Sequence, residues 1–126
     1  QQHIEAQCKR LRILGFTGTP IIRGNLNAMD KSLLPSLQTV CTEILNNIAK
    51  HGKPGAFAFI LSVGPDAVRI FASNLYNAAI NSAPENHYGT ALIQDFAQQH
   101  NGTMTINSEN EEWSLSLAIP LTHQTH

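Results

Sequence analysis

Residues 37–72 read LQTVCTEILNNIAKHGKPGAFAFILSVGPDAVRIFA, and the apolar period changes inside them. Leu37, Val40, Cys41, Ile44 and Ile48 recur at i, i+3, i+4 and i+7, the spacing of one buried helical stripe. Beyond Gly52 and Pro54 the pattern breaks. Residues 56–63 are nearly all apolar, which suits a strand buried on both faces. Gly64-Pro65-Asp66 forms a turn, and residues 67–72 then alternate, with Val68, Ile70 and Ala72 facing one way. A helix followed by two hairpin-joined strands departs from the strand–helix alternation of a doubly wound parallel fold. It predicts an α+β two-layer sandwich, a mixed sheet with helices on one face.

The flanks extend this order. Asp30 or Ser32 can cap the helix, and Pro35 is tolerated in its first turn. His51-Gly52 ends it, with Gly52 as a C′ glycine and Pro54 just beyond. Upstream, Ile4, Cys8 and Leu11 give residues 1–14 a helical period. Residues 16–25 place Ile21-Ile22 among Gly18, Pro20 and Gly24, which reads as a short strand or edge segment. Downstream, residues 73–88, SNLYNAAINSAPENHY, form a loop long enough to be functional or disordered. Gly89 opens a second helix with Leu92, Ile93, Phe96 and Ala97 on its inner face, and Asn101-Gly102 closes it. Residues 103–107 and 113–119 form a hairpin around Glu109-Asn110. In the last strand Trp113, Leu115, Leu117 and Ile119 alternate with Ser114, Ser116 and Ala118, and Pro120 ends it.

Composition narrows the class. A chain of 126 residues suits one domain with a real core. Only 13% is charged, against a usual figure of about 25%, and the net charge is −1. Nothing here attracts nucleic acid or an anionic surface, and the cluster Lys9, Arg10, Arg12 is too short to count as a patch. The two cysteines, Cys8 and Cys41, stand apart at apolar positions of helical patterns, as buried free thiols do. A reducing cytoplasm is the expected compartment. No segment approaches the ~20 apolar residues of a membrane span. The chain begins at Gln1 and reads as a piece of something longer, whose anchorage the sequence leaves open.

The first helix also carries a polar arc. At about 100° per residue, Glu43, Asn46, Asn47, Lys50 and His51 fall side by side next to the buried stripe. An ordinary solvated helix face accounts for such an arc, and so does one wall of a nucleotide site. Lys50 and His51 also suit the negative end of the helix dipole.

The order of these pieces resembles the ATP-binding domain of sensor histidine kinases, the Bergerat fold, over roughly residues 30–121. EILNNIAKH at 43–51 resembles the family's N box, E-x-x-x-N-x-x-x-H. Gly89-Thr90-Ala91-Leu92 resembles its second glycine box, and WSLSLAIPL at 113–121 its closing strand. Within that family the chain resembles the nitrate-sensor and desaturase-sensor branch.

The resemblance implies ATP and Mg²⁺ as ligand and cofactor, with residue roles. Asn47 would be the metal ligand, its amide oxygen one turn from the Glu43 carboxylate, which would orient water or act as a base. Asn46 could shift that motif by one position or simply face solvent. Lys50 and His51 would approach the phosphates. Asn74 stands where the family has an adenine-reading aspartate, and its carbonyl oxygen can accept the same hydrogen bond if neighbours orient the amide. A strand-end turn residue is the plainer role for it. Gly89, Thr90 and Leu92 would offer a helix N-terminus to phosphate oxygens, with residues 75–88 as a lid. Departures from the family are Asn74, Tyr76 and Ala91, which replace an aspartate and two glycines.

Among the histidines, His3, His51, His87, His100, His123 and His126, none has a metal-ligand set around it, and the family's phosphoacceptor motif is absent. The acceptor would lie elsewhere in the parent. Residues 1–14 would then be a lead-in from a dimerisation hairpin and residues 15–126 the ATPase domain. Implied partners are that histidine-bearing domain, a response regulator and a second copy of the parent, with no direct nucleic-acid contact. Two rivals remain at this point. One is a degenerate module of the same fold that relays conformation with little or no nucleotide binding. The other is a serine kinase of the anti-sigma-factor type.

Overall fold

The computed structural model describes residues 2–24, 33–76, 90–109 and 111–121. Among them are three helices, α1 (Gln2–Ile13), α2 (Leu34–His51) and α3 (Thr90–Gln99). Five strands are β1 (Pro20–Arg23), β2 (Gly52–Val63), β3 (Ala67–Tyr76), β4 (Thr103–Glu109) and β5 (Glu112–Pro120). They make one sheet in the order β1-β2-β3-β5-β4. β1 runs parallel to β2 and every other pairing is antiparallel, so the sheet is mixed.

The period-2 pattern decides which sheet face is packed. Phe57, Phe59 and Leu61 of β2, Val68, Ile70 and Ala72 of β3, and Trp113, Leu115, Leu117 and Ile119 of β5 are all buried. The helices cover this face with Ile4, Cys8 and Leu11 of α1, the Leu37–Ile48 stripe of α2, and Ile93, Phe96 and Ala97 of α3. The opposite face is open, with Arg69, Phe71, Thr105 and Ser116 exposed across three strands. The architecture is the α+β two-layer arrangement that the order of elements predicts.

Several local expectations change. Residues 56–63 do not lie in a strand buried on both faces: Ala58, Ile60 and Ser62 turn to the open side and are only half-buried. An apolar run cannot by itself distinguish the two cases. The N-cap of α2 is Leu33, in αR geometry and with no side-chain cap, while Asp30 and Ser32 lie outside the described residues. Pro35 does fall in the first turn. Gly52 is no left-handed C′ glycine: its φ is −77° and ψ 160°, so the chain passes straight from helix to strand.

β3 continues to Tyr76, four residues past the expected end, because Ser73 and Asn74 still pair with Ala58 and Phe57 on one side and with Ser114 and Trp113 on the other. The expected loop therefore loses its first residues to the sheet, and residues 77–89 lie outside the description. The end of α3 is as expected. Asn101 adopts φ 59° and the Gly102 amide donates to the Ala97 carbonyl at 2.7 Å, a left-handed helix stop.

Candidate functional site

Asn47 and Asn74 are the two buried polar side chains among the described residues, each 2% exposed. The rest of the interior is apolar, and a buried amide costs stability unless it is satisfied. Both come from the elements that residues 37–76 build. Asn47, a member of the polar arc of α2 by its helical period, is turned into the interior. Asn74 is the fourth member of the inward row Val68, Ile70, Ala72, Asn74.

Gly52 joins these elements. As the C-cap of α2 it donates its amide to the Ile48 carbonyl. A Cβ placed on it would lie 2.5 Å from both that oxygen and Asn74 Nδ2, and 3.0 Å from the Phe16 ring. Only glycine lets the helix end close down on Asn74 in this way. The turn of α2 that carries Asn47 and Lys50 therefore ends directly against the Asn74 end of β3.

Asn74 has an asymmetric environment. Its Nδ2 donates to the Leu75 carbonyl at 2.7 Å, while its Oδ1 is buried with no hydrogen-bond partner. The register explains why Leu75 is available on this side. Phe57 of β2 pairs with Asn74 and Gly52 with Tyr76, so residues 53–56 bulge out opposite Leu75. Bulges of this kind are common beside functional sites, where they re-aim a side chain.

The other predicted residues are less concentrated. Glu43 is half-buried one turn before Asn47, and with Gln38, Thr39 and Thr42 it lines a shallow cavity of about 550 Å³. Lys50 is exposed. Asn46 points away from the buried side of α2 and accepts a 3.1 Å hydrogen bond from Arg10 Nη1 of α1, which leaves Asn47 as the inward asparagine. Thr90 begins α3, but its side chain, that of His51 and all of Gly89 lie outside the described residues.

Leu92 corrects an expectation. It is 43% exposed, off the inner face that Ile93, Phe96 and Ala97 occupy. It lines a groove of about 470 Å³ between α3 and the first half of α2, with Ser36, Thr39, Val40 and Asp95. The structure thus sets Asn74 against Gly52 at the end of α2, the helix that carries Asn47 and Lys50, and Leu92 beside the N-terminal half of that helix. A further hollow of about 400 Å³ on the open sheet face, around Ile60, Arg69 and Ser116, contains none of the predicted residues.

Metal and thiol chemistry narrow the possibilities. No group of three His, Cys, Asp or Glu side chains among the described residues could hold a metal ion. His100 packs on the Phe96 ring with centroids 4.8 Å apart. Cys8 and Cys41 are free and buried, and burial pushes their thiols up to about 11 and about 12. Neither is a nucleophile at neutral pH.

The sequence singles out Asn47 and Asn74, both of which are buried, but not the close approach of Gly52 to Asn74 or the Leu75 carbonyl. The signal for the first was Gly-Lys-Pro-Gly at 52–55, two glycines and a proline where a continuous strand would carry none.

No protein-family model matches this chain, and no curated protein does either. Solved structures do. The chain is similar to the nucleotide-free catalytic domain of the histidine kinase ThkA, with a TM-score of 0.68 and 10% identity over 97% of this chain and 94% of that one. It is similar to the histidine kinase AdeS of Acinetobacter baumannii, with a TM-score of 0.71 and 11% identity, covering 97% of this chain and 62% of that one. The blue-light activated histidine kinase EL346 of Erythrobacter litoralis gives 0.67 and 13%, over 94% of this chain and 41% of that one. At such identities the likeness is one of fold, and that fold is the one found in histidine kinase catalytic domains.

Proposed function

We propose that this chain is the ATP-binding catalytic domain of a sensor histidine kinase, which passes the γ-phosphoryl group of ATP to a histidine outside it. The observation that carries the reading is the closure of the α2 end, with Asn47, onto the Asn74 end of β3 in a domain of that fold.

The residues suit the task. The Asn47 amide oxygen is a hard ligand of the kind Mg²⁺ takes alongside phosphate oxygens and waters, so one protein ligand suffices. Mg²⁺, when bound, would neutralise charge on the triphosphate. Glu43, one turn back on α2, would orient a water of that shell or take a proton. Lys50, exposed at the helix end, and His51 beside it would reach phosphate oxygens. Asn74 would meet the adenine ring. Gly89, Thr90 and Leu92, at the start of α3, would offer backbone N–H groups to the phosphates.

Transfer by such a domain is mostly positioning and charge neutralisation, since the phosphoryl group needs little covalent help. The parent would supply the acceptor histidine on a dimerisation domain reached through residues 1–14. It would act as a homodimer in the cytoplasm and pass the phosphoryl group to a response regulator.

Titration with ADP and a non-hydrolysable ATP analogue, with and without Mg²⁺, tests the reading. Both should bind, the analogue more tightly with Mg²⁺, and Asn47→Ala should remove most of the Mg²⁺-dependent gain. Silence at millimolar nucleotide would leave the degenerate relay module as the function.

A further inference from the structure

The open face of the sheet carries its charges at opposite ends. We propose that it is a self-association surface, on which a second copy of this chain docks face to face about a two-fold axis, with Arg69 of each copy against Glu109 and Glu112 of the other. The proposal is independent of the nucleotide-binding reading and uses none of its residues.

The strand register lays this face out in rows. Arg23, Ser62, Arg69, Ala118 and Thr103 lie side by side across the five strands, and Ile21, Ile60, Phe71, Ser116 and Thr105 form the next row. Two rows further on, Leu75, Glu112 and Glu109 are aligned. One end thus presents two guanidinium groups and the other two carboxylates. All four are exposed, and none is in an ion pair among the described residues. Asp66 in the β2–β3 turn and Lys53 in the bulge lie outside these paired rows, and Glu111 adds to the acidic end.

An open sheet face can simply be solvated. This one also holds three exposed large apolar side chains, Ile21 at 43%, Phe71 at 39% and Leu75 at 37%. Beside Phe71, the small side chains of Ser116, Ala118, Thr103 and Thr105 leave the hollow of about 400 Å³ that Arg69 borders. A guanidinium set among hydroxyl groups in a hollow suits a carboxylate.

The carboxylates that fit are the chain's own. In a two-fold contact one patch meets itself, so a residue at one end faces a residue at the other. An axis lying between the two faces and across the strands turns one copy end for end. It lays the Glu109–Glu112 corner of each copy over the Arg69 hollow of the other and brings the two Phe71 rows together in the middle. The net charge of −1 adds little repulsion between copies. Five strands about 4.8 Å apart, over a run of about 20 Å from Arg69 to Leu75, offer about 500 Å² on each copy. About 1,000 Å² in all reaches the lower limit for a specific interface, so the dimer is a weak one. α1 packs on the other side of the sheet, which makes this contact separate from any formed through residues 1–14.

The test is sedimentation velocity on the 126-residue chain up to about 1 mM, in low and in high salt. A dimer should form as concentration rises, and high salt should weaken it. R69E and E112R should each weaken association by about tenfold or more, because like charges then oppose across the contact. Mixed in equal amounts, the two variants should form a heterodimer about as tight as the original dimer, since both cross-contacts regain opposite charges. Recovery in the mixture also excludes misfolding as the cause of either loss. A chain that stays monomeric to about 1 mM overturns the proposal, as does an R69E variant that dimerises like the unchanged chain. So does a mixture that associates no better than either variant alone.

Discussion

The inward row of β3 has two unlike ends. At one, Val68 and Ile70 pair with Ile119 and Leu117 and meet only apolar neighbours in the core. At the other, Asn74 lies equally buried opposite Trp113, with the α2 terminus closed over it and one polar atom unpaired. Burial alone accounts for the first end. It argues against the second, where a buried acceptor without a partner costs about 1–3 kcal/mol. One end of the sheet is arranged for folding, and the other keeps an arrangement that folding does not ask for.

The largest expected effect tests the apolar core, beside its boundary with Asn74. Phe59 is fully buried and pairs with Ala72 in the middle of the sheet. Phe59→Ala should lower stability by about 3–5 kcal/mol, measured by chemical denaturation. A loss under about 1 kcal/mol would mean that the apolar end is not the close-packed core described here.

Next comes the junction of the two ends. Gly52→Ala would place a Cβ 2.5 Å from Asn74 Nδ2 and from the Ile48 carbonyl, and backbone cannot yield as a flexible side chain can. Overpacking of this kind costs about 1–3 kcal/mol. The variant should also bind ADP more weakly, because the α2 end must lift away from Asn74. Unchanged stability and unchanged binding would show that the helix does not close on the strand.

The sharpest contrast follows from Asn74→Leu. Replacing the amide by an apolar group of similar size removes the unpaired Oδ1 but also the Nδ2 bond to Leu75, so stability should change by no more than about 1 kcal/mol. ADP affinity should fall in the same variant. Phe59→Ala and Asn74→Leu would then differ in stability by several kcal/mol from two buried positions of one sheet. A large loss of stability in Asn74→Leu would place the amide among the groups that hold the fold together.

These contrasts also explain what could be read from the chain. The sheet was legible wherever alternation was strong, as in Trp113, Leu115, Leu117 and Ile119, because burial of one face imposes a period of two. The face of residues 56–63 was not, since alanine and isoleucine serve a half-covered surface as well as a covered one. Nor was the burial of Asn47, since the helical period sets it in the polar arc of α2 with Glu43, Asn46, Lys50 and His51. The surroundings of Asn74 were not: the bulge at 53–56 and the approach of Gly52 arise from pairing between segments about twenty residues apart, which no local pattern encodes. Leu92 was misread because at about 100° per residue it falls at the margin of the stripe that Ile93, Phe96 and Ala97 form, where spacing alone does not decide which side is covered.

The helical layer gives a smaller test of its apolar character. Burial raises Cys8 to about 11 and Cys41 to about 12, above an ordinary value of 9.0. Both thiols are protonated and neutral in the folded chain, so their contribution is fully present below pH 9. Above that, the unfolded chain can ionise where the folded one cannot, and stability should fall as pH rises from about 9 toward 11. Replacing both by Ala or Val should flatten that decline in a denaturation series. Reaction of the native thiols with a maleimide at pH 8, at the rate of a free cysteine, would show that the layer is open.

The smallest expected effect separates two neighbours in the sequence. Asn46 and Asn47 are adjacent on α2, yet Asn47 is buried and Asn46 is half-exposed, receiving the Arg10 guanidinium from α1. That bond is solvent-exposed, so water replaces much of what it supplies when it is lost. Arg10→Ala should change stability by no more than about 0.5 kcal/mol and leave nucleotide affinity unchanged. Asn47→Ala, one residue further along, should alter the Mg²⁺ dependence of binding. If Arg10→Ala weakened nucleotide binding as much as Asn47→Ala does, the functional asparagine would be Asn46. The inward direction of Asn47 would then be a matter of packing alone.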